Sequence, residues 1–141
     1  MTILLVEDDD VDAMAIERAF RKTNIPVSIA RARNGEEALR YIREESCDQK
    51  LLVLLDLNMP RMSGIEFLSE IRQDMKLRKT IVVVLTTSNN RDDVERCFDY
   101  NVAGYFTKVA FNEQASEFVQ CIYGYLNKNQ FPLHPGRGVV A

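Results

Sequence analysis

Short apolar runs rich in β-branched residues alternate along this chain with stretches in which apolar residues recur at helical spacing. The runs cover residues 3–6, 27–32, 51–55, 81–85 and 103–107. Strands that alternate with helices in this way predict βα units and a parallel sheet. The runs at 51–55 and 81–85 are apolar at every position, so we expect these two strands at the centre of the sheet, with both faces covered.

Helical periodicity follows the strand-like runs, and polar residues signal where the helices begin. Asp9 or Asp10 can cap the first helix, and Asn34 with Gly35 marks a turn before the second. Residues 91–100 predict a weaker fourth helix. In the first, third and fifth predicted helices the apolar positions are Val11, Met14, Ala15, Ile16, Ala19 and Phe20; Ile65, Leu68, Ile71 and Met75; and Ala115, Phe118, Val119, Ile122, Tyr123 and Leu126.

The length and composition are those of one globular domain that needs no disulfide bond or structural metal ion to be stable. The chain has 141 residues, of which 46% are hydrophobic and 28% charged, and this is enough to bury a core. The helical pattern stops at Asn127, so we predict a domain over residues 1–127 and an irregular C-terminal tail over 128–141. The tail contains His134, which has no predicted helix to present it and is expected to be an ordinary side chain.

Charge and hydropathy exclude several classes of partner. The net charge of −3 and the absence of a basic block argue against nucleic acid. No apolar stretch approaches the roughly 20 residues of a membrane span, and the chain enters its first strand without a signal peptide, so a cytoplasmic protein is expected. The cysteines at 47, 97 and 121 lack metal-ligand spacing and are expected to be reduced thiols.

Polar residues suited to one chemistry stand where four of the strand-like runs end. Asp56 ends the run 51–55, a place where a carboxylate is costly to desolvate and is normally there for a reason. Glu7 and Asp8 follow the first run, Thr86 the fourth and Lys108 the fifth. Because parallel strands end at a common edge of the sheet, these groups are expected to converge there.

The adjacent acids predict a divalent metal site, because like charges brought together repel unless a cation lies among them. Mg²⁺ prefers oxygen ligands and keeps several waters. We expect Asp8 and Asp56 as direct ligands, Glu7 partly through water, and a backbone carbonyl near Asn58. Asp56 is then the candidate nucleophile toward phosphorus, with the metal, Lys108 and Thr86 each neutralising one phosphoryl oxygen.

Four segments of the sequence resemble those of a known family. They are Val-Glu-Asp-Asp at 6–9, Leu-Leu-Asp-Leu-Asn-Met-Pro-Arg-Met-Ser-Gly at 54–64, Val-Leu-Thr-Thr-Ser at 84–88 and Ala-Gly-Tyr-Phe-Thr-Lys at 103–108. This set resembles the CheY-like receiver domain of two-component response regulators. The resemblance implies a doubly wound, flavodoxin-like (βα)5 fold with five parallel strands in the order 2-1-3-4-5.

The same resemblance assigns roles to individual residues. Asp56 is the implied phosphoacceptor, Glu7 and Asp8 the acidic pair, Thr86 the switch hydroxyl, Lys108 the site lysine, and Tyr105 the aromatic that moves when Thr86 engages the phosphoryl group. The implied chemistry is a Mg²⁺-dependent His–Asp phosphorelay. In such a relay the chain is not an enzyme beyond its own phosphorylation and slow dephosphorylation.

Partners and output are implied as well. The local sequence of these segments most resembles that of stand-alone phytochrome-associated response regulators, whose phosphodonor is a separate or hybrid sensor histidine kinase. The expected readout face is the fourth helix, fifth strand and fifth helix, acting on a downstream protein target or in a homodimer, because the residues after Leu126 are too few to fold alone. Asn58 and Ser88 flank the expected path of an attacking water and are predicted to tune the phosphoryl lifetime.

One departure from the family leaves alternatives open. The residue after Lys108 is Val109, where the family usually has proline and often a cis peptide that aims the lysine, so here the peptide is either strained or trans. This keeps open a pseudo-receiver that binds partners without phosphorylation. An aspartyl-phosphate hydrolase would need an acid at position 58, where Asn58 stands, and a nucleotide enzyme would need a glycine-rich loop after the first strand.

Overall fold

All five predicted strands are present and form one parallel sheet. The computed structural model of the chain describes residues 1–45 and 50–132. The strands are β1 (Thr2–Val6), β2 (Ser28–Ala32), β3 (Leu51–Leu55), β4 (Ile81–Thr86) and β5 (Gly104–Thr107). Their order is β2-β1-β3-β4-β5, and every neighbouring pair is parallel. The predicted doubly wound fold and strand order are confirmed.

Six α-helices connect and follow the strands within the described residues. They are α1 (Asp10–Lys22), α2 (Gly35–Arg40), α3 (Gly64–Gln73), α4 (Arg91–Asp99), α5 (Lys108–Glu113) and α6 (Ala115–Lys128), and a π-helical turn at Tyr41–Glu45 extends α2. A polar side chain accepts a hydrogen bond from a backbone N–H in the first turn of five of them, namely Asp9, Asn34, Ser63, Asn90 and Thr107. Such caps satisfy N–H groups that a helix start leaves unpaired, so local sequence sets these boundaries.

Alternation of side chains along the strands builds a core on each face of the sheet. On one face Leu4, Val53 and Val84 pack with α2, α3 and the Cys97 side of α4. On the other face residues such as Leu54 pack with α1, α5 and α6. All five residues of β1 and of β3 are buried, which is why these strands read as continuous apolar runs.

The structure corrects the predicted helices in three places. The single helix predicted after β5 is two helices, because the chain becomes helical at once at Lys108, leaves helical geometry at Gln114 and resumes as α6. Helix α3 ends at Gln73 because Asp74 is extended, so Met75 is exposed and does not belong to the apolar face. Val11 and Met14 of α1 also face solvent rather than the core.

The end of α6 is followed by a short packed segment. The Phe131 ring lies edge-on to Tyr125, with centroids 5.8 Å apart, and packs on the α6 side of the sheet. His134, most of the predicted tail and Cys47 lie outside the described residues, so the division at residue 127 stays a prediction. Cys97 and Cys121 are free thiols. In the described ranges, none of the helices has both the length and the apolar character needed to cross a membrane.

Candidate functional site

The register of the sheet brings the polar strand ends to one edge. Val6 pairs with Leu55, so Glu7 and Asp56 leave neighbouring strands at the same level. The Asp56 N–H donates to the Val6 carbonyl at 3.0 Å, which continues the ladder by one residue. Thr86 pairs with Thr107, and Lys108 follows directly. The predicted convergence of these residues therefore rests on strand pairing rather than on flexible loops.

Asp56 is a buried carboxylate that accepts hydrogen bonds on one oxygen and has an ammonium near the other. One oxygen accepts the Thr86 hydroxyl at 2.9 Å and the Asn58 backbone N–H at 3.3 Å. The other lies 3.5 Å from the Lys108 ammonium. The side chain is almost completely removed from water, so these donors replace the solvation that an ionised carboxylate needs.

Three carboxylates gather at this edge in a way that fits a hard divalent cation. Glu7, Asp8 and Asp56 each offer an oxygen, and these oxygens lie within 4.8 Å of one another. Burial raises the pKa of Glu7 to about 7, and the charge of Asp56 adds to this shift while Lys108 opposes it. Three carboxylate oxygens gathered this closely are the kind of donor set that Mg²⁺ prefers.

Lys108, which follows β5, contacts several of the carboxylates at this edge. Its ammonium lies 2.6 Å from Glu7 and 2.7 Å from Asp12. Burial works against the charge, but the hydrogen bonds that the ammonium donates to Asp12 and then to Glu7 outweigh it and raise the lysine pKa above its ordinary value. The peptide between Lys108 and Val109 is trans, and Val109 faces solvent while Lys108 points into the site. The departure at position 109 has not removed the lysine from the site.

Asp12 is a member of this cluster that the sequence analysis did not identify. It lies in the first turn of α1, where an acid is ordinarily explained by the helix dipole. Its side chain is 41% exposed and contacts Lys108 at 2.7 Å. Nothing local to this helical turn indicates the contact with Lys108, which lies 96 residues away in the sequence.

Thr86 and Tyr105, the predicted switch pair, occupy adjacent strands. Thr86 is fully buried and already faces Asp56. Tyr105 is half-buried against the core, and its hydroxyl donates to the Ser88 carbonyl at 2.8 Å. The contact ties the aromatic ring to the loop that follows Thr86, so a shift of that loop would reach the ring.

Asn58 and Ser88, the predicted lifetime-tuning pair, lie at the mouth of the site in different environments. The Asn58 amide donates to the Thr87 hydroxyl at 3.3 Å, so these two exposed residues link the loops after β3 and β4. The Ser88 hydroxyl lies 2.6 Å from a carboxylate oxygen of Asp93, at the start of α4. Their influence on lifetime stays a prediction, as does a carbonyl ligand near Asn58.

Arg31 is a second residue that sequence reasoning missed. From β2 its guanidinium donates two hydrogen bonds to the Glu7 carbonyl, at 3.1 and 2.9 Å, and one to Asp10 at 2.8 Å. Arg33 contacts the same Asp10 oxygen at 2.8 Å. The role of Arg31 depends on β2 lying beside β1, which no local pattern reveals.

The predicted readout face contains core residues as well as surface ones. Phe118 and Ile122 of α6 are buried in the core. Phe98 of α4 is exposed, and Tyr105 and Tyr125 are partly buried. Phe98, Tyr105 and Tyr125 can therefore meet a partner without unfolding, as can Val94 of α4, which is also partly exposed.

Comparison with known proteins identifies the family. Residues 3–120 match the family described as the response regulator receiver domain. The chain is 40% identical to "Probable methanogenesis regulatory protein FilR2" of Methanothrix harundinacea, over 92% of this chain and 86% of that protein. It is 35% identical to response regulator Rcp1 of a Synechocystis species, over 87% and 86%.

The solved structures that resemble this chain belong to the same family as these relatives. The phosphorylated cyanobacterial phytochrome response regulator RcpA superposes with a TM-score of 0.80 at 36% identity, over 93% of this chain and 97% of that one. The Mn²⁺-bound form of Rcp1 gives 0.79 at 34% identity, over 93% and 98%. The resemblance to phytochrome-associated response regulators is thereby confirmed. The chain belongs to the response regulator receiver domain family, the CheY-like signalling modules of two-component systems.

Proposed function

We propose that the chain accepts a phosphoryl group on Asp56 from a sensor histidine kinase, in a Mg²⁺-dependent reaction. The observation that carries the proposal is the environment of Asp56, where a hydroxyl and an ammonium flank a carboxylate that shares its edge with two further acids. Each of these groups has a role in phosphoryl transfer. Phosphoryl transfer therefore explains their convergence at one place more simply than a structural role for each group would.

The transfer step is a displacement at phosphorus. A carboxylate oxygen of Asp56 attacks the phosphorus of a phosphohistidine, and the P–N bond breaks as the P–O bond of an acyl phosphate forms. The imidazole nitrogen leaves with the electron pair and takes up a proton. Thr86 can donate to one phosphoryl oxygen and Lys108 can neutralise another, and both lie within reach before transfer.

The metal site of this proposal consists of Glu7, Asp8 and Asp56, with Asn58 contributing a backbone carbonyl. Bound Mg²⁺ would supply positive charge for the developing negative charge on the phosphoryl oxygens. The mutual approach of the three carboxylates supports this site, as does the existence of a Mn²⁺-bound structure of the relative Rcp1.

The output of the proposal passes through Thr86 and Tyr105. Engagement of a phosphoryl oxygen by Thr86 would shift the loop after β4, and the Tyr105–Ser88 contact would carry the shift to the face formed by α4, β5 and α6. A downstream protein or a second copy of the chain would read that face. The likeness to Rcp1 and RcpA supports a phytochrome-type or hybrid kinase as the donor, in the cytoplasm.

Intact mass after incubation with acetyl phosphate tests the acceptor chemistry. Wild type with Mg²⁺ should gain one phosphoryl group that hydroxylamine removes, and Asp56→Asn should gain none. Asp99→Asn, a matched change at an exposed position of α4, should behave as wild type. A folded wild-type chain that binds Mg²⁺ but gains no mass would contradict the proposal and favour the phosphorylation-independent binding module instead.

A further inference from the structure

The loop that carries the metal-site acids begins where the pairing of β1 ends. The Glu7 N–H still donates to the Ala32 carbonyl at 3.0 Å, but β2 ends at Ala32. The Glu7 carbonyl therefore extends past the edge strand, at the residue where the backbone must turn toward Asp8 and α1. The orientation of this carbonyl sets the plane of the peptide between Glu7 and Asp8, the two acids of the proposed metal site.

Arg31 meets that carbonyl with two N–H groups of one planar guanidinium. The distances are 3.1 and 2.9 Å, and a third donor of the same group reaches Asp10 at 2.8 Å. One rigid fork thus joins the end of β1 to the first residue of α1 and spans the whole loop between them. A guanidinium presents its donors in fixed geometry, which an ammonium cannot do.

The neighbouring arginine shows what is special about this contact. Arg31 and Arg33 both bind the same Asp10 oxygen at 2.8 Å, but their side chains are 20% and 56% exposed. Within the described residues, the side-chain bonds to the Glu7 carbonyl come from Arg31 and not from Arg33. Charge near Asp10 alone would not require Arg31 to be partly desolvated against a backbone oxygen.

We propose that Arg31 is a positioning residue for the metal site, holding the Glu7 carbonyl so that Glu7 and Asp8 present their carboxylates together. The inference rests on the metal site proposed above. Groups that orient metal ligands through a hydrogen bond commonly change affinity by 10- to 100-fold when removed. Because Arg31 acts on the backbone of the ligand loop, a loss of about tenfold is expected here.

The test compares Arg31→Gln with Arg33→Gln in the full chain, since both remove one positive charge beside Asp10. Free Mn²⁺ is measured by electron paramagnetic resonance during titration, and Mg²⁺ affinity follows from competition. Arg31→Gln should raise both dissociation constants about tenfold and Arg33→Gln by less than about twofold, with Arg31→Lys between them. In phosphorylation by acetyl phosphate, Arg31→Gln should raise the half-saturating Mg²⁺ concentration and leave the plateau rate unchanged.

If the two glutamine variants changed the metal affinity equally, Arg31 would act only through its charge, and the inference would be overturned. An unchanged affinity in Arg31→Gln would overturn it as well. Thermal unfolding checks that each variant is folded, and if Arg31→Gln is not, Arg31→Lys decides by the same criterion. A wild-type chain that bound neither ion would overturn the metal site itself. Binding by wild type with no response to Arg31 would overturn only the positioning role.

Discussion

Replacing Gly64 by alanine tests how closely α3 approaches the backbone that carries Asp56. A Cβ at Gly64 would lie 2.6 Å from the Asp56 carbonyl oxygen and 2.7 Å from the Cα of Leu57. Both atoms belong to the backbone, so no side-chain rotation relieves the clash. The Gly64 N–H also donates to the Leu57 carbonyl at 3.1 Å, which holds the two segments together.

The size of the effect follows from these contacts. Ordinary contact begins near 3.4 Å, so the loop after β3 must retreat by about 0.8 Å, and overpacking of this kind costs about 1–3 kcal/mol. Gly124 is the matched control, because among the described residues its added Cβ would meet nothing within 4 Å apart from its chain neighbours and the backbone of its own helix. In the interior of α6, alanine in place of Gly124 should add about 1 kcal/mol.

Thermal unfolding of the two variants, with and without Mg²⁺, measures the difference. A gap of about 2–4 kcal/mol corresponds to roughly 6–12 °C between their Tm values for a chain of this length. Displacement of Asp56 should also reduce the stabilisation by Mg²⁺ in Gly64→Ala but not in Gly124→Ala. If Gly64→Ala matched wild type in both Tm and Mg²⁺ response, the described approach of α3 to Asp56 would be wrong.

Three further variants test single contacts. Arg72 donates to four backbone carbonyls, two of them partly buried, so Arg72→Met should lower the free energy of urea unfolding by about 2–5 kcal/mol. The exposed control Arg78→Met should change it by less than about 0.5 kcal/mol, and equal losses would contradict the role of these bonds. Burial raises the pKa of Glu7 from 4.5 to about 7, so the metal-free folded chain should lose stability as pH rises across that window. In the proposed metal site Mg²⁺ would displace the Glu7 proton, so calorimetric affinity should rise several-fold from pH 6 to 7.5 in wild type, and Glu7→Gln should abolish that dependence. Asp12→Asn should release Lys108 toward Asp56 and speed phosphorylation at saturating Mg²⁺ by up to about fivefold, because a partly exposed ion pair is worth up to about 1 kcal/mol. A slower reaction, followed by intact mass, would mean that Asp12 holds Lys108 in its working position.

The sheet and the central residues of the site could be predicted because they follow from local pattern plus one topological rule. The runs at 51–55 and 81–85 are apolar at every position and so are expected in the middle of a parallel sheet, and the strand order implied by the family resemblance places Asp56 and Thr86 side by side. Glu7 and Lys108 then follow from the same rule applied to the first and fifth strands. No long-range contact had to be guessed for these four residues.

Residues whose roles depend on pairings between distant elements could not be predicted in this way. Asp12 satisfies the local rule for acids in a first helical turn, so its contact with Lys108, 96 residues away in sequence, adds no local signal. Arg31 lies in a strand whose outward positions are ordinarily polar, and its bond to the Glu7 carbonyl exists only because β2 lies beside β1. In both cases an adequate local explanation concealed the tertiary one.

The departure at Val109 shows how a local rule can point to a difficulty that the fold resolves elsewhere. Loss of the usual proline put the direction of Lys108 in doubt, since a cis peptide would otherwise set it. In the structure the peptide is trans, and the Thr107 hydroxyl accepts the Ala110 N–H at 3.2 Å, which starts α5 at Lys108 itself. The helix start orients the lysine backbone, and Glu7 and Asp12 hold its ammonium. The capped helix start and the acids around the ammonium thus keep Lys108 in the site without a cis peptide, so Val109→Ala should change the rate of phosphorylation by acetyl phosphate less than Asp12→Asn does.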